Sequence, residues 1–357
     1  MMLLFSLLFS LYSLLMGESQ AVELVFAGDA MQHQSQIDAA KRPDGTYNYD
    51  SYFKALKPYI SSADYAIVNL ETPLGGAPYS GYPMFCAPDS YLTALTDAGF
   101  DLVLAANNHT LDRRDKGVVR TIGQFEKQGV PYVGIYRDKA HRASMLPVIK
   151  DINGFKIAFL NYTYGTNGIK IQGNVVVDYI DRALMKRDIA DARKAGAEVV
   201  AVCVHWGDEY QLLPNASQKN LADFLIGQGV DLIIGGHPHV IQPMKIRHSA
   251  THNKDVFLVY SLGNFISAMK TTDTRGGAMA RVRLEREKDG KPVVKSASYR
   301  LVFVKRPSPG NANFQLVPAE ERMGAPFSVQ RDAFVRNAVR IYDRHNVNVP
   351  RDTVAIR

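Results

Sequence analysis

Six residues that can bind a divalent cation are spread widely along this sequence. They comprise two carboxylates, one amide and three imidazoles, namely Asp29, Glu71, Asn108, His205, His237 and His239. Carboxylate and amide oxygens and imidazole nitrogens are the donors that Mn, Fe and Zn ions accept. Any one of these residues alone is more typical of a turn, a helix cap or a structural histidine. Together they predict a site for one or two divalent ions.

Each candidate ligand follows a short apolar run that is typical of a buried β-strand. The runs lie at residues 23–27, 65–69, 101–105, 198–202 and 231–234, with a further run at 156–160. In open α/β sheets, ligands bind outside the carboxyl ends of the strands, because the loops converge there. The sequence therefore predicts that separate strands deliver the candidate ligands to one sheet edge.

The stretches between these runs have apolar residues near helical spacing. They predict helices at residues 49–61, 88–98, 115–129, 178–195 and 217–228, and Gly129, Gly196 and Gly229 cap three of them. This alternation is typical of a layered α/β fold. Alternating charged strands then continue to Val304 and predict an antiparallel extension of the core. Residues 329–345 predict a terminal helix that packs on it.

The segments around the candidate ligands also follow a recognisable order. They are Phe26-Ala-Gly-Asp-Ala-Met, Asn69-Leu-Glu-Thr-Pro-Leu, Ala105-Ala-Asn-Asn-His-Thr-Leu-Asp, His205-Trp-Gly-Asp-Glu-Tyr, Gly236-His-Pro-His-Val-Ile-Gln-Pro and Tyr260-Ser-Leu-Gly-Asn-Phe. This series resembles the CapA family, which is named for poly-γ-glutamate capsule synthesis, within the calcineurin-like metallophosphoesterases. The resemblance spans about residues 22 to 267.

The resemblance implies a metallophosphoesterase-like sandwich of sheets flanked by helices. The core domain would span residues 22–305, and residues 306–357 would form an extension with the terminal helix. Glu71 would bridge two metal positions, with Asn108, His205 and His237 completing one and Asp29 and His239 serving the other. His109 matches the imidazole that orients the substrate or protonates the leaving group during phosphoester hydrolysis.

The first motif departs from the phosphoesterase pattern. Met31 stands where those enzymes have the histidine of Asp-x-His, and a thioether is a poor ligand for borderline ions. His33, two residues further on, is an alternative ligand. The bridging residue is Glu71 rather than an aspartate and is therefore one methylene longer. The expectation is one or two ions.

Three more residues are candidates for substrate contact. Asn264 follows a predicted strand at the same edge and either contacts substrate or caps a turn. Trp206 adjoins His205 and either lines the pocket or packs in the core. Arg113 follows the Asn-His motif and either offers a cation to an anionic substrate or lies on the surface at a helix start.

The amino terminus predicts export. Residues 2–16 form an uncharged apolar run of signal-peptide length, and Ser19-Gln20-Ala21 follows as a cleavage pattern. Residues 1–21 are therefore either a cleaved signal peptide or an uncleaved anchor. The expected location is the periplasm or the extracytoplasmic face of the membrane.

The chain of 357 residues is 46% hydrophobic, which excludes global disorder, and its formal net charge is +7. Between Arg281 and Arg306, nine Lys or Arg residues stand against three acids. That stretch predicts either a solvated hairpin face or a docking surface for a polyanion. Nucleic acid is not an expected partner, because no helix-turn-helix, zinc-finger or ribonucleoprotein motif is recognisable.

Two functions follow from these features. The first is a metal-dependent hydrolase that acts on a phosphoester or related bond in the cell envelope, linked to capsule or poly-γ-glutamate-type polymer synthesis. The second is a non-catalytic protein that binds an anionic polymer during its assembly, export or anchoring. Expected partners are the phosphoester substrate or the anionic envelope polymer, together with other capsule-synthesis membrane proteins.

Overall fold

The structure is a computed structural model that describes residues 20–310 and 312–352. The leader predicted at residues 1–21 lies outside the described residues except for Gln20 and Ala21. Two β-sheets pack face to face, and helices cover the outer face of each sheet. This arrangement confirms the layered α/β sandwich predicted from the sequence.

The strands are numbered in chain order. They are β1 (Ala21–Ala30), β2 (Tyr65–Leu70), β3 (Leu102–Leu104), β4 (Tyr132–Val133), β5 (Ile135–Tyr136), β6 (Val148–Ile152), β7 (Phe155–Thr163), β8 (Val176–Val177), β9 (Val199–His205), β10 (Leu232–Gly236), β11 (Ile241–Ser249), β12 (Lys254–Leu262), β13 (Asn264–Ile266), β14 (Gly276–Arg286), β15 (Pro292–Lys305) and β16 (Gln315–Pro318).

The helices of the described chain are numbered likewise. They are α1 (Gln34–Ala40), α2 (Lys57–Ile60), α3 (Ser90–Asp97), α4 (Arg114–Gln128), α5 (Lys139–Met145), α6 (Arg182–Lys194), α7 (Ala216–Gly227) and α8 (Phe327–His345), with a short 3-10 helix at Thr272–Thr274. Among these, none is both long and apolar enough to cross a membrane.

The first sheet has the strand order β16-β15-β14-β1-β2-β3-β4, with β13 beside β1. Strands β1 to β4 run parallel to one another, whereas β14 is antiparallel to β1 and β15 is antiparallel to β14. The predicted antiparallel extension is therefore confirmed. It widens the same sheet that carries the first three candidate ligands.

The second sheet has the order β11-β12-β10-β9-β7-β6. Its four central strands are parallel, and β6 and β11 are antiparallel strands at the two edges. Helices α6 and α7 cover its outer face. Parallel strands that are buried on both faces are continuously apolar, which explains why the sequence shows these strands as short apolar runs.

Most predicted helices are confirmed, but the helix predicted at residues 49–61 is wrong. Only its end is helical, as α2. The preceding residues form turns in which Tyr49, Tyr52 and Phe53 are all buried, and the carbonyl of Tyr52 accepts a hydrogen bond from the backbone of Leu316 next to β15. That long-range bond occupies the carbonyl that an α-helix would pair with the backbone N–H of Leu56, which instead donates to Phe53.

The terminal helix α8 packs on the core. Phe334, Ala338 and Tyr342 are its buried residues, and the ring of Tyr342 lies 4.4 Å from that of Tyr299 on β15. Strand β16 pairs with β15. The domain boundary predicted at residue 306 stays a prediction.

The basic stretch from Arg281 to Arg306 forms the β14–β15 hairpin, and much of its charge is paired. Arg281 contacts Glu23 at 2.6 Å and stacks on Tyr59, and Arg286 contacts Glu198 at 2.9 Å. Further ion pairs hold Arg283, Lys295, Arg300 and Lys305. This hairpin therefore presents few free cations to a polyanion.

A β-bulge at Gly28 changes the direction of strand β1 before the first candidate ligand. Ala27 pairs with Val68, yet Asp29 pairs with Asn69, so Gly28 is an extra residue in the ladder. A bulge redirects the side chain that follows it. A Cβ atom at Gly28 would lie 2.0 Å from the carbonyl oxygen of Gly263, so only glycine fits there.

We predict that Gly28→Ala lowers the free energy of unfolding by about 1–3 kcal/mol or more, because the added methyl overlaps a fixed backbone carbonyl. Gly123→Ala is the matched control. In α4, a methyl at Gly123 meets no described atom within 4 Å, and the change should raise stability by about 0.5–1 kcal/mol. Urea denaturation measures the free energy of unfolding of both variants. A Gly28→Ala variant as stable as the Gly123→Ala variant would contradict the bulge.

Candidate metal centre

The candidate ligands meet at one end of the seam between the two sheets. Asp29, Glu71 and Asn108 lie at or after the carboxyl ends of strands of the first sheet. His205, His237 and His239 lie at or after those of the second. All six are at most 4% exposed. The expectation of a single sheet edge was therefore too simple, because both sheets contribute ligands.

Glu71 lies at the centre of the cluster and belongs to two groups of candidate ligands. One group is Glu71, His205 and His237, and the other is Asp29, Glu71 and His239, with the ligand atoms of each group within 4.8 Å of one another. Glu71 Oε1 is 3.6 Å from His205 Nε2 and 3.9 Å from His239 Nε2. Asn108 Oδ1 is 2.9 Å from His205 Nε2 and so adjoins the first group.

The Glu71 carboxylate has no internal partner that explains its burial. Within the described part of the chain, neither of its oxygens forms a hydrogen bond, and His237 Nδ1 also lacks one. A buried carboxylate without hydrogen bonds is costly. Buried oxygen and nitrogen atoms that point into one cluster fit a divalent cation, which would compensate that cost.

The protonation equilibria of the cluster reflect its burial. Burial raises the pKa of Glu71 to about 8, and burial followed by the charge of Glu71 raises the pKa of Asp29. Burial lowers the pKa of His205 to about 3 and lowers the pKa values of His237 and His239. The three imidazoles are therefore neutral, which is the form that binds metal.

Neighbouring groups hold the carboxylate of Asp29 in place. Asn69 Nδ2 donates to Asp29 Oδ1 at 2.8 Å, and the backbone N–H of His237 donates to Oδ2 at 3.1 Å. A Cβ atom at Gly236 would lie 2.8 Å from Asp29 Oδ1. Such supporting contacts orient metal ligands. Asn69 begins the motif that contains Glu71, but the sequence pattern predicts no role for it.

Two of the imidazoles sit on strained backbone. The φ angles of His237 and His239 are 99° and 59°, in the left-handed region that favours glycine. Such strain is typical of functional sites, where the surrounding structure fixes the conformation. His239 is also held by its side chain, because its Nδ1 lies 3.1 Å from Asn264 Oδ1. An amide oxygen only accepts, so Nδ1 carries the proton and Nε2 keeps its lone pair.

His109 lies beside the cluster and has a carboxylate partner. Its Nδ1 is 2.7 Å from Asp112 Oδ2, which also accepts a hydrogen bond from the backbone N–H of Phe85. The edge of the Phe85 ring packs on His109 at 4.5 Å. Burial lowers the pKa of His109, but the bond to Asp112 and the charge of Glu71 outweigh it, so the pKa is raised overall.

Comparison with known proteins agrees with the motifs. A family model described as "Bacterial capsule synthesis protein PGA_cap" matches residues 23–269. The chain belongs to this family. The CapA resemblance is thereby confirmed.

Two curated relatives in this family come from Bacillus. The chain is 27% identical to a capsule biosynthesis protein CapA of Bacillus anthracis, over 75% of this chain and 65% of that protein. It is 29% identical to a PGA biosynthesis protein CapA of Bacillus subtilis, over 88% of this chain and 75% of that protein. The chain thus spans about two thirds to three quarters of their lengths.

Among solved structures, the chain is similar to an NAD nucleotidase of Haemophilus influenzae. The TM-score is 0.48 and the identity 11%, over 94% of this chain and 57% of that one.

Neither Met31 nor His33, the two other residues considered in the first motif, belongs to the ligand groups. Met31 is buried, and its backbone N–H donates to Ile266. His33 begins α1, and its Nδ1 lies 3.3 Å from both Gln36 Oε1 and the backbone nitrogen of Ala268. The ring of His33 instead packs against Phe85 at 5.2 Å.

The three candidates for substrate contact differ in their position relative to the ligand cluster. Asn264 reaches the cluster through His239. Trp206 does not, because it follows His205 on the strand and neighbours on a strand face opposite sides. Its indole N–H donates to the carbonyl of Tyr260 in the core beneath the helices. The guanidinium of Arg113 donates to Ser80 and supports the loop at residues 72–88.

Two exposed tyrosines adjoin the cluster, of which Tyr210 ends the motif that begins at His205, whereas Tyr164 lies outside every motif. Tyr164 is 48% exposed and its ring lies 4.5 Å from that of His237. Tyr210 is 53% exposed and lies 6.3 Å from the ring of His239. We call this pair the tyrosine rim. The tyrosine rim presents aromatic surface to a molecule that binds at the candidate metal ligands.

We predict that His205→Ala and His237→Ala each lower the amount of metal that copurifies with the protein, because each removes a nitrogen from the group that shares Glu71. Elemental analysis of protein purified without chelators measures this. His248→Ala is the control, since His248 is an exposed residue paired with Asp255. Unchanged metal content in both cluster variants would contradict the assignment.

We also predict that Glu71→Gln stabilises the metal-stripped protein at neutral pH, because a carboxyl whose pKa burial raises to about 8 must take up a proton on folding, whereas the amide needs none. Added Mn should raise the melting temperature of the parent protein more than that of the variant. Thermal melts with and without Mn measure both effects. Equal stabilisation of both proteins by Mn would show that Glu71 is not a ligand.

Proposed function

We propose that the chain is a metal-dependent hydrolase that cleaves a phosphoester or related bond in the cell envelope, in support of capsule or poly-γ-glutamate-type polymer synthesis. The observation that carries the proposal is the buried Glu71 carboxylate, which has no hydrogen bond and lies among neutral imidazoles. A purely structural role gives no reason for such a costly arrangement.

The residues that would hold one or two ions of Mn, Fe or Zn are Asp29, Glu71, Asn108, His205, His237 and His239. When bound, such an ion supplies positive charge that polarises a phosphoryl oxygen and lowers the pKa of water. The side chains supply the rest of the site. Asn69 and Asn264 hold two of the ligands in their orientations.

His109 is the proposed proton donor to the leaving group. Its raised pKa favours the protonated imidazole. Asp112 engages Nδ1, so Nε2 is the nitrogen that remains to donate a proton. Phe85 packs against the ring and limits its rotation. A positioned acid of this kind contributes roughly 10²–10⁴-fold to a rate.

The cellular setting of this reaction is also part of the proposal. The relatives from Bacillus are called capsule and PGA biosynthesis proteins. The apolar leader at residues 1–21 supports export to the periplasm or the extracytoplasmic face of the membrane, either free or anchored. Other membrane proteins of capsule synthesis are the expected partners there.

The second candidate function is a non-catalytic protein that binds an anionic polymer. The basic hairpin does not favour it, because most of its arginines are paired with acids of the same chain. A different surface does favour it, namely a cationic groove between α7 and β11. Binding and hydrolysis are separable by experiment.

The test is hydrolysis of an aryl phosphate monoester and diester with added Mn, together with elemental analysis. We expect turnover by the parent protein, and a loss of roughly 10²–10⁴-fold in His109→Ala with its metal content retained. His252→Ala is the control, because His252 is half-buried outside the cluster and its ring bonds the backbone carbonyl of Gly227. Bound metal without turnover would favour the second candidate.

A further inference from the structure

A surface groove lies between α7 and the edge strand β11, outside the ligand groups. Its cavity is about 330 Å³. Pro243, Lys245 and Arg247 line one side, at alternate positions of β11. Alternate residues of a strand share one face, and Met244 between them packs in the core on the opposite face. The second side is formed by Lys219 and Asp223, one turn apart on α7.

The charge of this groove is predominantly positive. Arg247 is paired with Asp223 at 2.7 Å. Within the described part of the chain, Lys219 and Lys245 form no ion pair, and His345 at the end of α8 adds an imidazole to the lining. The groove thus presents unpaired lysines on a concave surface, whereas most arginines of the β14–β15 hairpin form ion pairs with acids of the same chain.

The groove is connected to the candidate metal centre by two short segments. Pro243 lies four residues after His239, so the two are separated by at most ~14 Å of extended chain. Leu213, which also lines the groove, lies three residues after Tyr210 of the tyrosine rim. An extended polymer can therefore contact both places at once.

We infer that this groove binds a chain of repeating carboxylates, such as a γ-linked glutamyl polymer, and holds it beside the metal centre. The inference rests on the proposed envelope function for the choice of polymer. Lysine ammonium groups are flexible point charges without a fixed recognition geometry. They suit a repeating carboxylate chain that has no single register, whereas Arg247, with its planar fork, is already engaged by Asp223.

The test uses a short γ-linked oligoglutamate as the probe and the full chain as the protein. Trp206 is the single tryptophan of the sequence and stacks at 6.1 Å on Tyr260, which lines the groove. A ligand that shifts the ring of Tyr260 therefore changes the fluorescence of Trp206. We expect a saturable change in Trp206 fluorescence, with affinity that falls as salt is added.

The double variant Lys219→Glu/Lys245→Glu should weaken binding about tenfold or more, because two attractive contacts become repulsive. Lys186→Glu/Lys288→Glu is the matched control. It changes the net charge equally, and both residues are exposed and outside the groove. Lys219→Arg/Lys245→Arg keeps both charges and should bind within about twofold of the parent. Far-ultraviolet circular dichroism verifies that each variant is folded.

An equal loss of affinity in both Glu double variants would overturn the assignment of binding to the groove, because the loss would then reflect net charge alone. Inorganic polyphosphate that binds as tightly as the oligoglutamate would overturn the assignment to carboxylates. The binding assay needs no turnover, so His109→Ala should retain the parent's affinity for the probe. The binding assay therefore tests the groove, and the turnover assay tests the proposed hydrolase independently of it.

Discussion

The burial of the Glu71 carboxylate at the seam between two sheets is the constraint on which the rest of this structure depends. A carboxylate at that depth needs compensation, and the candidate ligands that converge on it from strands of both sheets could share a divalent cation with it. The bulge at Gly28 turns Asp29 towards the same point, and the strained backbone at His237 and His239 brings their rings close to it. Local conformations that are individually unfavourable therefore serve one cluster.

Much of the fold and most of the cluster could be predicted from the sequence, for a physical reason. Strands buried on both faces are continuously apolar, and the ligands stand directly after them. The order of the motifs was sufficient to select Asp29, Glu71 and His237 from a chain with many acids. The antiparallel extension and the terminal helix were visible through their alternation and helical spacing.

Other features depend on contacts between distant residues, which no local pattern reveals. The aromatic residues near Tyr52 have helical spacing, yet they form turns, because the carbonyl of Tyr52 accepts a hydrogen bond from the distant Leu316. Trp206 stands next to a ligand in sequence but faces the other side of its strand. Asp112 could have been identified, because it stands three residues after His109. The pairing of the basic hairpin with Glu23 and Glu198 could not, since these acids lie far from it in sequence.

The origin of the ligands in both sheets has a consequence for how the chain acquires an ion. The backbone of His237 bonds the side chain of Asp29 across 208 residues, so the cluster forms only when the two sheets have docked. An unfolded chain offers no short segment with more than two of the ligands. A cation bound there would therefore be chosen from the ions present where folding finishes. If the chain folds after export, the metal supply outside the cytoplasm, rather than the affinity order of divalent ions inside it, would decide which element the cluster binds.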